Sequence, residues 1–533
     1  VEFNLADLWE AVADAVPDRE AMVRGATRRT YAALDARANR LAHHLESVGI
    51  GPGDHVAVYL TNSIEYLECL LAAFKIRAVP VNVNYHYVDE ELRYLLDDCD
   101  AKAIAFDREF STRVARVRAS LPGLESLVMV DDGTGADVPV GLGAVDYEAA
   151  LAAGSAGRDF GPRSADDLYI VYTGGTTGSP KGVMWRAEDI FFGALTGGTA
   201  RGSIELARPE DVTVDLDHGL RCHPACPLMH GTGQWVALFT LYSGGSIVLL
   251  AERHFDSQAT WELVARERVA LLAIVGDAFA RPLVEAYDGL DPFIDVSSLI
   301  VVLSGGAILS PAVRAAWTDR LPGILLIDGF GASETGSQGQ ALAASPDGVH
   351  APSFKVDDDT TVLGDDLRPA AVGVVGKLAR RGHVPIGYYK DPEKSAATFP
   401  VVDGIRWSVP GDHARREADG TITLLGRGSV SINTGGEKVY PEEVEGVLKS
   451  HPAVFDAVVV GIPDERWGER VVAVVQLRPG MDVTLDELAA HAGAHLARYK
   501  SPRDLVVVDE ITRSPSGKPD YRWARALVER AVR

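Results

Sequence analysis

Cysteine is scarce, with four residues in a chain of 533. That is too few to staple domains of this size, so a disulfide framework is excluded and a reducing cytoplasm is the expected setting. Positive charge is also short: 52 Lys and Arg face 75 Asp and Glu, a formal charge of −23. Phosphate backbones need basic patches, so a nucleic-acid partner is not expected, although a local basic pocket for a nucleotide is still allowed. No apolar run approaches the ~18 residues of a transmembrane helix. Residues Val1 to Asp7 lack the basic start and apolar core of a secretory leader. Repeats and low-complexity tracts are missing too. What the chain does have is apolar content of 47%, enough for large packed cores, and room for several domains of ~150 residues each.

Apolar runs alternate with helical patterns. Leu5, Leu8, Trp9, Val12 and Val16 recur at helical spacing. Strands are expected at 55–60, 78–83 and 101–106, with helices at 64–76 and 90–96 between them. A second series, from about 213 to 328, has strands at 245–250, 270–275 and 299–303. This alternation predicts an α/β fold with doubly wound parallel sheets. Residues 350–425 have short strands and many turn residues, as in a small β-rich subdomain. After a break near Gly426-Arg427-Gly428-Ser429, about 100 residues suffice for a small α+β domain. The expected division is 1–426 and 427–533.

The densest chemical signal is Tyr172-Thr173-Gly174-Gly175-Thr176-Thr177-Gly178-Ser179-Pro180-Lys181-Gly182. Glycines let backbone N–H groups close on an anion, hydroxyls add donors, and Lys181 adds a mobile cation. It follows the strand-like run 168–172, where α/β proteins hold nucleotides. It is not a Walker loop, because Ser179 and Pro180 separate Gly178 from the lysine. A second signal is Phe330-Gly331-Ala332-Ser333-Glu334-Thr335, after the apolar run 324–327. Glu334 is a hard oxygen ligand suited to Mg²⁺; the competing reading is a helix N-cap at Ser333. Cys222, His223, Cys226 and His230 lack the paired spacing of structural zinc sites, and buried thiols beside a functional loop are expected instead.

These motifs, in this order and over nearly the whole chain, resemble the adenylate-forming superfamily of acyl-CoA synthetases, peptide-synthetase adenylation domains and beetle luciferases. The resemblance implies activation of a small-molecule carboxylic acid with ATP and Mg²⁺, then transfer to CoA. Thr173, Gly174, Gly175, Thr176, Thr177, Gly178 and Lys181 would cradle phosphates. Gly306, Ala307, Asp328, Gly329, Phe330, Gly331 and Ser333 would surround adenine and α-phosphate. Asp412, in Trp407-Ser408-Val409-Pro410-Gly411-Asp412, would accept the ribose hydroxyls, with Arg427 closing on ribose and phosphate. Glu334 would hold Mg²⁺, and Lys518, in Arg513-Ser514-Pro515-Ser516-Gly517-Lys518, would bridge carboxylate and α-phosphate. Lys518, Glu334 and Lys181 are the implied catalytic set.

His230, Gly233, Gly276, Asp277, Ser304 and Gly305 would form the acyl site, with Asp277 the one candidate counter-charge for an amino acid. Gly435, Gly436 and Lys438 would line the CoA tunnel after the small domain rotates. The hinge position departs from the family pattern: Ser429 and Val430 stand where Asp or Lys is usual. Met184-Trp185-Arg186 and Val81-Asn82-Val83-Asn84-Tyr85 are similar to actinobacterial fatty-acyl and steroid-side-chain CoA ligases. A homodimer is compatible with this resemblance. The rival readings are an acyl-AMP ligase or stand-alone adenylating enzyme with another acceptor, a luciferase-like oxidation, and a nucleotide-binding protein without catalysis.

Overall fold

A computed structural model describes residues 2–174, 179–198, 206–342, 353–434, 437–464, 467–514 and 517–531, excluding the side chains of Arg427 and Ser429. Two large sheets carry the first series and the second. The eight-stranded sheet runs in the order Gly387–Tyr388, Lys181–Arg186, Leu168–Thr173, Val79–Asn82, His55–Tyr59, Ala101–Asp107, Ser126–Val130, Val145–Asp146. It is parallel from Leu168–Thr173 onward and antiparallel at the other edge. Its central strands His55–Tyr59 and Val79–Asn82 are short runs buried on both faces, as parallel sheets require.

The nine-stranded sheet contains the consecutive strands Leu325–Ala332, Val301–Gly305, Leu271–Ile274, Arg221–Pro224, Ser246–Leu249 and Glu20–Arg24, all parallel. Antiparallel strands extend both edges. Glu20–Arg24 pairs with Ser246–Leu249, more than 200 residues away in sequence, so the amino-terminal segment completes the second sheet. The helix Leu5–Ala15, capped by Asn4 Oδ1 accepting from Ala6 N at 2.9 Å, packs into a core with Trp9, Tyr31, Tyr66, Trp185 and Tyr242. Tyr242 donates from its hydroxyl to Leu5 O at 2.7 Å. Tyr31 Oη lies 2.8 Å from Leu241 O and 2.7 Å from Gly245 O. These bonds fix the helix Gly231–Tyr242 between the sheets, so the face it turns to the nine-stranded sheet is rigidly placed.

The region 350–425 does form a small antiparallel sheet, of Thr360–Leu363, Val375–Arg380, Asp412–Arg416 and Ile422–Arg427. Gly428–Val430 is a single 3-10 turn. Beyond it, Val454–Asp464 and Gly468–Leu477 form a long antiparallel pair. Alternation explains why these two strands read as unbroken apolar runs. Ala457, Val459, Val471 and Ala473 meet Val444, Leu448 and Leu488 on one face. Val458, Val460, Val472 and Val474 meet Ala524 and Val528 on the other.

Candidate active site

A cleft of ≈ 2570 Å³ runs along one face of the nine-stranded sheet. Register and alternation place three rows of side chains on this face. Leu271, Val301 and Leu325 lie side by side at the strand starts; Leu303 and Ile327 follow; Gly305 and Gly329 come last. All seven line the cleft, whereas Ala273, beside Leu303 in the middle row, does not. From Leu325 to Gly331 is six steps of roughly 3.3 Å, so the cleft floor extends ~20 Å. It is apolar at the strand starts and glycine-lined at the carboxyl ends, where open α/β sheets bind ligands. Trp235, Val236 and Phe239 of the helix Gly231–Tyr242 roof the apolar part. Gln338 also lines the cleft. It is 3% exposed, and its side-chain Nε2 is buried without a hydrogen-bond partner.

At the carboxyl ends the predicted residues converge. Thr173, Gly174, His230, Ser304, Gly305, Gly306, Gly329, Phe330, Gly331, Ser333 and Lys518 all line this one cleft. Gly306 has φ +82, and a Cβ there would stand 2.7 Å from Thr232 Oγ1, so only glycine lets the backbone turn this close to the helix start. The His230 Nε2 atom is buried without a hydrogen bond. Burial first, then the nearby charge of Lys518, pushes the His230 pKa down to about 4, so the ring is neutral at physiological pH.

The phosphate cradle joins two antiparallel strands, Leu168–Thr173 and Lys181–Arg186, rather than a strand and a helix. The strand Lys181–Arg186 begins with the lysine that follows the glycine-rich run. Gly175, Thr176, Thr177 and Gly178 lie outside the described residues, as do Gly435 and Gly436. Lys181 pairs with Asp391, whose carboxylate raises the lysine pKa above its ordinary value. Ser333 and Glu334 sit in a tight turn, with Thr335 N donating to Ala332 O at 3.0 Å before the strand Gly336–Ala341 begins. The helix N-cap reading of Ser333 is therefore overturned. Trp185 Nε1 donates to Ser333 O at 3.0 Å and Ser408 Oγ to Glu334 O at 2.5 Å, so the turn is held from two sides.

Glu334 Oε1 accepts from Tyr388 Oη at 2.9 Å. One carboxylate oriented by a phenol, beside a cleft for phosphates, suits Mg²⁺, which takes one or two carboxylates plus phosphate oxygens. Among the described residues, the acidic cluster with metal-binding geometry is Asp107, Glu109 and Asp132. Arg253 already supplies a cation to it, contacting all three. Cys222 and Cys226 are buried free thiols, and His223 Nδ1 lies 2.8 Å from Val248 O, consistent with packing roles.

Most of the other expected residues are placed away from the cleft lining, and Ser304, which borders it, turns its hydroxyl elsewhere. A Cβ on Gly233 would meet Pro227 O at 2.4 Å, and one on Gly276 would meet Ile308 O at 2.4 Å, so both are packing positions. The Ser304 hydroxyl is turned to Gly276 N, 3.1 Å away. Asp277 Oδ1 accepts from Ser310 N at 2.8 Å, and its other oxygen faces Lys449 and Arg281, each at 3.7 Å. Ala307 packs into the core behind the sheet. Asp328 is buried 3.7 Å from Arg314, and burial pushes its pKa up to about 7. Asp412 begins a strand opposite Arg427, and Lys438 is exposed on the strand Glu437–Val439. Sequence reasoning missed Tyr388 and Asp391, which orient Glu334 and pair Lys181. The run Gly387-Tyr388-Tyr389-Lys390-Asp391-Pro392, with its turn residues and aromatics, was the available signal.

The sequence matches the model of the AMP-binding enzyme family over residues 9–389 and that of the AMP-binding enzyme C-terminal domain over 443–518. The chain belongs to the AMP-binding enzyme family. It is 49% identical to a 3-oxocholest-4-en-26-oate–CoA ligase of Rhodococcus rhodochrous, over 98% of this chain and 95% of the relative. It is 45% identical to a medium/long-chain-fatty-acid–CoA/3-oxocholest-4-en-26-oate–CoA ligase of Mycobacterium tuberculosis, over 99% and 97%. Among solved structures it is similar to ATP-bound MatB from Rhodopseudomonas palustris, at a TM-score of 0.83 and 25% identity over 99% and 100% of the two chains.

Proposed function

We propose that this AMP-binding enzyme is an acid–thiol ligase that activates a long, largely apolar carboxylic acid, a steroid side-chain acid or a medium- to long-chain fatty acid, and passes it to CoA. The observation that carries the reading is the single cleft whose floor, ~20 Å long in all, runs from apolar strand starts to glycine-lined carboxyl ends beside Thr173, Gly174 and Lys518. The names of the relatives support both acid classes. The unpartnered Gln338 Nε2 favours an acid carrying an oxygen substituent on its apolar body, because a buried donor without a partner costs ~1–3 kcal/mol that such a substrate would recover.

A carboxylate resists attack because oxide is its leaving group. In the first step a carboxylate oxygen attacks the α-phosphorus of ATP and pyrophosphate leaves, giving an acyl-adenylate. Lys181 would hold the outgoing phosphates, and Asp391 fixes its position until they bind. Lys518 would lie over the reacting oxygens, offsetting the charge that accumulates there. Mg²⁺, held by Glu334, would supply further charge neutralisation on the phosphates. Neutral His230 borders the carboxylate end without adding a competing cation. In the second step the thiol sulfur attacks the acyl carbonyl and AMP leaves. Lys518 must then withdraw, so residues 427–533 would rotate as a unit on the body 1–426, bringing Gly435, Gly436 and Lys438 to the thiol path. The separate family matches to 9–389 and 443–518 support that division. Four buried free thiols fit a reducing cytoplasm.

Incubation with ATP, Mg²⁺, CoA and a panel of aryl, short, long and sterol-derived acids, read by mass spectrometry, tests the proposal. An acyl-CoA from a long or sterol-derived acid supports it. Acyl-adenylate without acyl-CoA replaces CoA by another acceptor, and turnover confined to aryl or short acids defeats the substrate assignment.

A further inference from the structure

The Asp277 carboxylate begins a chain of charged groups that ends at the backbone of the Lys518 loop. Asp277 opens the helix Gly276–Tyr287 in the amino-terminal body. Its Oδ1 is fixed by Ser310 N at 2.8 Å, and its Oδ2 lies 3.7 Å from Lys449 Nζ, on the last residue of the helix Pro441–Lys449. Lys449 Nζ is 3.4 Å from Asp456 Oδ1. Asp456 in turn accepts from Arg513 Nε at 2.9 Å and Nη2 at 2.7 Å, and Arg513 Nη1 donates to Gly517 O at 2.9 Å. Gly517 precedes Lys518 and is seated against the same helix, since a Cβ on it would stand 3.1 Å from Ala278 Cβ. Alongside this chain, Arg281 of the helix lies over the Phe455 ring at 4.7 Å.

The two ends of the first contact are unusually buried, with Asp277 6% and Lys449 3% exposed. An ion pair taken out of water is retained at a cost unless its partners stay in place. Arg281 and Asp456 offset part of the cost within each segment, and the contact between Asp277 and Lys449 adds to this while the carboxy-terminal segment sits with Lys518 in the cleft. Rotation of that segment would leave Asp277 and Lys449 facing other surroundings. We propose that Asp277 and Lys449 are positioning residues for the acyl-adenylate-forming step, an interdomain latch that holds Lys518 over the cleft through Asp456 and Arg513. The inference rests on the two-step reading above, and it assigns Asp277 to domain docking rather than to the acid.

The test measures the two half-reactions separately. Asp277→Asn and Lys449→Met are each expected to slow single-turnover acyl-adenylate formation by about tenfold or more, while thioester formation from supplied acyl-adenylate and CoA stays within about twofold. The double variant is expected to lose no more than either single one, as a shared interaction requires. Lys449→Arg, which keeps the charge, should retain most of the rate. Equal losses in both half-reactions, or additive losses, would overturn the latch. A second readout does not depend on turnover. All four native cysteines are buried, so dyes placed by Val140→Cys and Met481→Cys, both exposed positions, report domain position by energy transfer. Asp277→Asn should shift that distance distribution, and an unchanged distribution overturns the proposal. Failure of the wild-type protein to form any acyl-adenylate would count against the two-step reading alone, and the dye distances would still decide the latch.

Discussion

Truncating Lys518 to alanine should separate the two half-reactions. The lysine lines the cleft, and its charge is felt by His230, whose pKa it helps depress to about 4. The loop carrying it is anchored independently, by Arg513 to Gly517 O and by Gly517 against Ala278. Truncation therefore removes a cation and leaves the backbone where it was. Loss of one preorganised donor from a charged transition state costs ~2.7–4 kcal/mol, and at ~1.36 kcal/mol per decade that is a ~100- to 1000-fold slower step. Rapid-quench measurement of acyl-adenylate from acid, ATP and Mg²⁺ reads this directly. Thioester formation from supplied acyl-adenylate should stay within roughly threefold, because the step needs no cation on the carboxylate. Equal damage to both half-reactions would refute the reasoning, as would undiminished adenylation.

His223 makes acid stability testable. Burial holds its pKa down at about 4 against an ordinary 6.5, so on acidification the unfolded chain takes up this proton first. Its contribution is full above pH 6.5 and lost as pH falls towards 4, ~3 kcal/mol in total; His223→Asn should flatten the acid limb of denaturant-unfolding midpoints by up to that amount. Glu334→Gln should raise the Mg²⁺ concentration needed for half-maximal adenylation and lower its rate ~100-fold, while Tyr388→Phe, which removes the hydroxyl that donates to Glu334, should cost ~1 kcal/mol. Gln338→Leu should shift kcat/KM towards plain fatty acids over oxygenated ones by roughly 10-fold, as measured by competition between the two acid classes.

How much of this was legible beforehand follows from the range of each interaction. Strands at 55–59, 101–107 and 301–305 are short apolar runs bounded by turn residues, and their burial pattern is local information. The glycine-rich run and the Phe330 motif stand out by residue type and spacing, whereas Lys518 was singled out by the family resemblance; Thr173, Phe330 and Lys518 line one cleft. Pairings between distant segments were not. Nothing near Glu20–Arg24 announces a partner at Ser246–Leu249. Nor does the cradle sequence say that a second strand, rather than a helix, will follow it.

Asp277 shows the limit most clearly. A lone carboxylate beside a glycine at a strand end reads as a ligand group, and its neighbours Lys449 and Arg281 become visible only once the chain is folded. The sequence by itself determined the fold class, the order of the motifs and the kinds of chemistry they can perform, since backbone periodicity and side-chain identity are local properties. The tertiary structure alone decided which of those groups share a cleft, which glycines are spacers, and which charges join the two parts of the chain. Those outcomes depend on register and burial between segments hundreds of residues apart.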